Sequence, residues 1–173
     1  MSDAVTGVVR LVHIVTAIAW VGGALLWSNV VAPRVLARGP PAIRLPFAQA
    51  VIPAMTRYYQ IVAGLAIASG FVLVGMIWGW ADYFAPFQTG TYGIALGFGT
   101  VSAIAMAVIG FGIIAPAGKK MIVAMQGASA PPTPAQQAEL GAIGKKLGIL
   151  GMVVMTLGTL AAVGMALAVN AVR

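Results

Sequence analysis

Four stretches of twenty or more residues, near 8–32, 58–80, 91–114 and 147–172, run through this chain almost without charge. At about 1.5 Å of helical rise per residue, each is long enough to cross the roughly 30 Å hydrocarbon core of a bilayer. Only 8% of the residues are charged and the mean hydropathy is +1.00, whereas a soluble domain carries about 25% charged residues. Such a chain cannot cover a water-facing surface. The expected fold is all-α, an integral membrane four-helix bundle forming a single transmembrane domain over residues 1–173.

The connections set the layout. Pro33 is expected to end the first span. After it, Pro40 and Pro41 break a segment whose residues 42–55 mix apolar and polar types as a short interfacial helix does. Trp78 and Trp80 close the second span at a headgroup boundary. Pro116 and Gly118 are expected to end the third. Thr133, Pro134 and Gln136 form an N-cap, N1 and N3 set that starts the helix leading into the fourth span. Gly75 with Gly79, Gly93 with Gly97, and Gly158 with Ala162 are small pairs four apart, which let helix backbones approach closely in lipid. The opening MSDAVTGVVR lacks the basic region and cleavage site of a signal peptide, so the first span is expected to stay.

Charge gives orientation. The chain carries ten Lys and Arg against three carboxylates, for a net charge of +7. Arg34, Arg38, Arg44 and Arg57 lie in the first connection, and Lys119, Lys120, Lys145 and Lys146 lie in the third. The other side has Arg10 and Arg173, with no basic residue between spans two and three. By the positive-inside rule, connections one and three are cytoplasmic and both termini lie outside, in a cell inner membrane. The basic residues meet anionic lipid heads, and nucleic acid is not an expected partner.

Chemistry has few candidates. With no cysteine, disulfides, thiolate metal sites and c-type haem attachment are excluded. No span holds a carboxylate, and no paired acid and base, phosphate-cradling loop or HExxH occurs, which argues against a hydrolase or carboxylate proton relay. His13 is the only histidine. It shares a helical face with Thr16, Ala17, Trp20, Ala24 and Trp27, which sets small residues and an indole beside the imidazole. It reads either as an interfacial histidine bonded to a neighbour, as a haem or metal ligand, or as a protonation site. Met76 and Met165 belong to the same half of the membrane. Each is a candidate partner for a His/Met pair on haem b or on copper(I). Arg34 and Arg57 read as snorkelling anchors, or as partners of an acidic head group or of tetrapyrrole propionates. Asn29 is a candidate interhelical hydrogen bond.

The string HIVTAIAWVGGALLWSNVVAPRV resembles the first helix of the CopD-like and PuuD-like small membrane proteins, and more distantly the HemJ-type proteins. The matching positions are His13, Ala17, Trp20, Gly22 and Gly23. RYYQIVAGLAIASGFVLV is similar to their basic-led second helix. The HemJ likeness implies haem b on the first-helix histidine and tetrapyrrole oxidation, although those proteins carry further histidines absent here. The CopD likeness implies copper handling. The expected function is a small membrane protein holding a b-type haem, or copper, at His13 in redox or metal handling, as a homodimer or subunit of a larger membrane complex. The alternatives are a structural or assembly subunit and a protoporphyrinogen oxidase of the HemJ type.

Overall fold

The computed structural model describes residues 3–82, 84–88, 90–129 and 132–170. The end of the expected fourth span at Val172, together with Arg173, lies outside them. The fold is an all-α four-helix bundle. Helix α1 is Asp3–Leu26 and runs on as a π-helical segment, Trp27–Ala37. Helix α2 is Pro41–Trp78. Helix α3 is Gly90–Ile109, which passes through a π-turn at Gly110–Ile114 into α4, Ala115–Gln126. Helix α5 is Pro134–Asn170. All four continuous helices are long and apolar enough to cross a membrane, as the composition requires.

Each helix outruns the span expected for it. At 37 residues, the second helix is about 55 Å long against a hydrocarbon core of roughly 30 Å. The interfacial helix expected over 42–55 is no separate element but the first third of α2. Thr56 and Arg57 mark a change of environment without breaking the backbone ladder, and Thr56 Oγ1 donates to Ile52 O at 2.9 Å across the junction.

Neither Pro33 nor Pro116 ends its helix, and the π-segments are the reason. A proline inside a helix lacks an N–H and its ring clashes with the carbonyl four residues earlier. For Pro33 that carbonyl belongs to Asn29, and for Pro116 to Gly112; both lie within π-segments. The wider turn carries the clashing carbonyl aside, and the Ala115 N–H reaches five residues back to Gly110 O. Gly79 instead stops α2, with φ of +86°. The indole of Trp80 folds back over Gly75, where a Cβ would come within 2.7 Å of the ring. Gly75 and Gly79 therefore serve a turn, not the helix–helix contact their spacing suggested.

The closest helix approach joins α3 and α5. A Cβ on Gly164 would lie 2.8 Å from Ala95 O and 2.9 Å from Gly99 Cα. Gly158 receives Met106 Sδ from α3 and Val21 from α1. The central core is Trp20, Ala24, Ala63, Ala66, Met106, Ala107 and Val154, which draws on α1, α2, α3 and α5. A second cluster of Ala95, Leu96 and Ala168, with Phe87, Tyr92 and Met165 around it, holds α3 and α5 together at the end away from the lysines. Neither α1 nor α2 contributes to that cluster. Among the described residues, the α1–α2 hairpin and the α3–α5 pair thus share a core at mid-height and no buried cluster at this far end. The start of α5 matches its sequence signal: Thr133 Oγ1 accepts from Gln136 N–H, and Gln136 Oε1 accepts from Thr133 N–H.

Candidate functional site

His13 sits on the α1 stripe that also carries Trp20 and Ala24, both buried in the central core. Positions seven and eleven residues apart share a helical face, so the imidazole turns toward the bundle interior rather than toward lipid. Its Nδ1 lies 2.8 Å from Ala66 O on α2. A carbonyl only accepts, so Nδ1 carries a proton, and Nε2 is the nitrogen left for any other partner. Ser69 Oγ lies 3.4 Å from Nδ1 but donates to Leu65 O at 2.5 Å within its own helix.

The Cε1–Nδ1 edge of the ring packs against Gly70. A Cβ there would stand 2.9 Å from His13 Cε1 and 3.2 Å from Nδ1. Gly70 and the Ala66 carbonyl together fix the plane of the imidazole. Among the described residues Nε2 takes no hydrogen bond, and it is not sealed off. Among the described residues the only buried side-chain nitrogen or oxygen without a partner is the Tyr59 hydroxyl. A histidine whose Nδ1–H is held by a backbone carbonyl, with Nε2 open, has the arrangement that orients metal-ligating imidazoles. Beside the ring, Thr16 Oγ1 is spent on Val12 O at 2.7 Å, so the neighbouring α1 surface is in effect apolar.

The helix registers place the other candidates. On the α1–α2 seam, His13 opposes Ala66, Ser69 and Gly70, and Gly23 opposes Tyr59. Met76, seven residues beyond Ser69, therefore stands about 10 Å further toward the far end than His13. Between α1 and α5, Ser28 meets Gly151, Asn29 Nδ2 donates to Met155 Sδ at 3.1 Å, and Val21 meets Gly158. The Asn29 bond is the interhelical contact expected of that amide. Carried outward, this register brings residues 165–166 level with His13. Met165 packs in the α3–α5 cluster with Ala95, Leu96 and Ala168, and its Cε lies over Gly99 of α3. Of the two methionines, Met165 is the one at the level of His13.

The remaining candidates are elsewhere. Trp20 is 6% exposed and fills the core about 10 Å below the imidazole. Arg34 is exposed on the π-segment of α1, about 30 Å from His13 along the axis. Arg57 is exposed within α2 at the level of Leu25, about 18 Å away along the axis. Neither arginine is brought together with the histidine.

Arg10 is a residue that reading the sequence as spans passed over as a boundary. Through the α1–α2 register it stands only about 22 Å from Arg57 along the bundle axis. A hydrocarbon layer of roughly 30 Å fits when each guanidinium reaches a few ångström outward, Arg10 one way and Arg57 the other. His13 stands one helical turn below Arg10. Comparison of the chain with family models, curated proteins and solved structures finds no match.

Proposed function

We propose that this protein holds a b-type haem at His13, within the half of the membrane away from the lysines, and serves electron transfer or metal handling. The observation that carries the reading is the Nδ1–H bond to Ala66 O, which fixes the ring plane and leaves Nε2 as an open donor. The donor set suits the group. Imidazole nitrogen with thioether sulfur is an axial pair for haem iron, and Met165 is level with His13 while Met76 is not. The likeness of the first helix to haem- and copper-handling membrane proteins points the same way. Bound haem would supply one-electron chemistry; the chain supplies the axial nitrogen, its orientation and an apolar surround. Copper(I) on His13 and Met165 is the second form of the same proposal, since soft thioether and imidazole ligands suit that ion.

The charge distribution supports an orientation with the basic connections on the cytoplasmic side of an inner membrane and the termini outside. Function as a homodimer or within a larger membrane complex suits so small a bundle. One observation favours a purely structural role, in which the four helices only pack against a partner: the same Nδ1–H bond also ties α1 to α2.

The absorption spectrum of the purified protein decides between these. A Soret band, with a b-type α-band on reduction that is lost in His13→Ala, is the expected result. Met165→Leu is expected to alter the reduced spectrum and Met76→Leu to leave it unchanged. A colourless, metal-free preparation from haem- and copper-replete cells sinks both cofactor readings and leaves the structural one.

A further inference from the structure

We infer that the bundle carries one hinge plane, where the backbones of all four helices are weakened at the same level, so that its basic end tilts against the half that holds His13. The inference rests on backbone and packing alone and is independent of what His13 binds.

The helix registers bring the breaks together. Pro33 disturbs the turn of α1 that begins at Asn29, inside the π-segment Trp27–Ala37. Along the α1–α2 seam, His13 opposes Ser69 and Gly23 opposes Tyr59. By that register Asn29 is level with Pro53, a proline in the interior of α2, and Pro33 is level with Gln49, whose carbonyl Pro53 displaces. Gly118 of α4 packs on Ile52 of α2, so Pro116, two residues earlier, is level with Ala54. On α5, Gly151 meets Ser28, and Gly148 lies one turn nearer the basic end. Glycine is the residue that holds a helix least firmly. These prolines and glycines fall within about 8 Å of one level. Four helices that only spanned the membrane would carry such breaks at unrelated levels; a concerted hinge requires a shared one.

Packing divides at the same plane. Both buried clusters, with Trp20, Met106 and Leu96 among their members, lie on the His13 side. On the basic side the buried positions among the described residues are Gly39 and Ala48, with Ala117 and Gly118 at the plane itself. A tilt therefore disturbs little apolar packing, and it bends the helices where prolines and π-turns have already displaced the ladder. The plane lies about 6 Å beyond Arg57, at the edge of the hydrocarbon layer. Arg34, Lys119, Lys120, Lys145 and Lys146 each stand within about one turn of a break, on its basic side. These cations ride on the moving end.

The chain has no cysteine, so spin labels attach only where one is introduced. Pulsed electron–electron distance measurements on the full-length protein in nanodiscs compare two label pairs. Leu65→Cys with Val163→Cys lies within the His13 half, and Leu65→Cys with Ala142→Cys crosses the plane; all three positions are exposed. The crossing pair is expected to give a distance distribution about twice as broad as the inner pair. Pro33→Ala, Pro53→Ala and Pro116→Ala together restore the missing N–H groups and should narrow it to the width of the inner pair. Gly148→Ala, whose Cβ meets nothing within 4 Å, should narrow it in part. An unchanged inner distance checks that each variant keeps its bundle; if the triple variant loses it, Gly148→Ala decides. Equal widths for the two pairs without these substitutions would overturn the hinge. So would a crossing pair left as broad by every variant that keeps its fold.

Discussion

A methyl group added at Gly70 tests the packing of the histidine directly. The new Cβ would stand 2.9 Å from His13 Cε1 and 3.2 Å from Nδ1, inside the van der Waals contact of both. The imidazole can retreat only by giving up its 2.8 Å bond to Ala66 O. Overpacking of this kind costs about 1–3 kcal/mol, and a side-chain hydrogen bond within a membrane protein contributes about 0.6 kcal/mol. Replacing glycine by alanine in a helix returns up to about 1 kcal/mol. Gly70→Ala is therefore expected to destabilise the bundle by about 1–2 kcal/mol.

Gly64 is the internal control, six residues earlier on α2. It is exposed, and a Cβ there meets nothing within 4 Å. Gly64→Ala keeps the propensity gain without the clash and should stabilise by up to about 1 kcal/mol. The two variants carry the same chemical change on one helix and should move in opposite directions. Equilibrium unfolding in mixed detergent micelles, followed by far-ultraviolet circular dichroism, measures both. Equal midpoints for the two variants would refute the account of how the imidazole is held.

Two further predictions concern the core. The Tyr59 hydroxyl is buried without a partner among the described residues, and an unsatisfied polar group costs about 1–3 kcal/mol of desolvation. Tyr59→Phe should leave stability unchanged or raise it, and a loss above 1 kcal/mol in the same unfolding assay would show that the hydroxyl has a partner in the membrane. Gly164→Ala should be far more damaging than Gly70→Ala. Its Cβ meets backbone, Ala95 O at 2.8 Å and Gly99 Cα at 2.9 Å, so helices α3 and α5 must move apart; a midpoint equal to wild type would contradict that crossing.

The fold was legible because lipid leaves a chain few options. Once backbone groups must be satisfied internally, a long apolar run without charge becomes a helix, and four runs became four helices. The helix ends were not legible, because the signals used for them describe two different things. Arg57 and Trp78 report where the polarity of the surroundings changes; Pro33 and Pro116 report where an α-helical hydrogen bond is lost. Neither is a statement about where a helix stops. The π-segments bypass both prolines, and α2 carries Arg57 in its interior. Where a signal acts on the backbone itself, as at Thr133 with Gln136 or at Gly79, it does mark an end. Gly75 shows the converse: its spacing from Gly79 fits a helix crossing, and its actual neighbour is the indole of Trp80.

The candidate site divides along the same line. His13 stood out by being the sole histidine; its inward orientation needed the burial of Trp20 and Ala24 on the same stripe. Its partners depended on register, which no single helix contains. Met76 and Met165 were equivalent by depth alone, because depth was counted from span ends that the helices do not respect. Ser28 against Gly151 and Val21 against Gly158 fix α5 against α1 to within a turn, and that contact separates the two methionines. The same register reassigns the arginines. Arg34 and Arg57, counted as candidates because they flank a connection, stand about 30 Å and 18 Å from the histidine along the axis. Arg10, counted only as a topology marker, is its nearest cation on α1. In a bundle with so few polar groups, what a residue can do is decided less by its type than by which other polar group shares its level and its side of the helix.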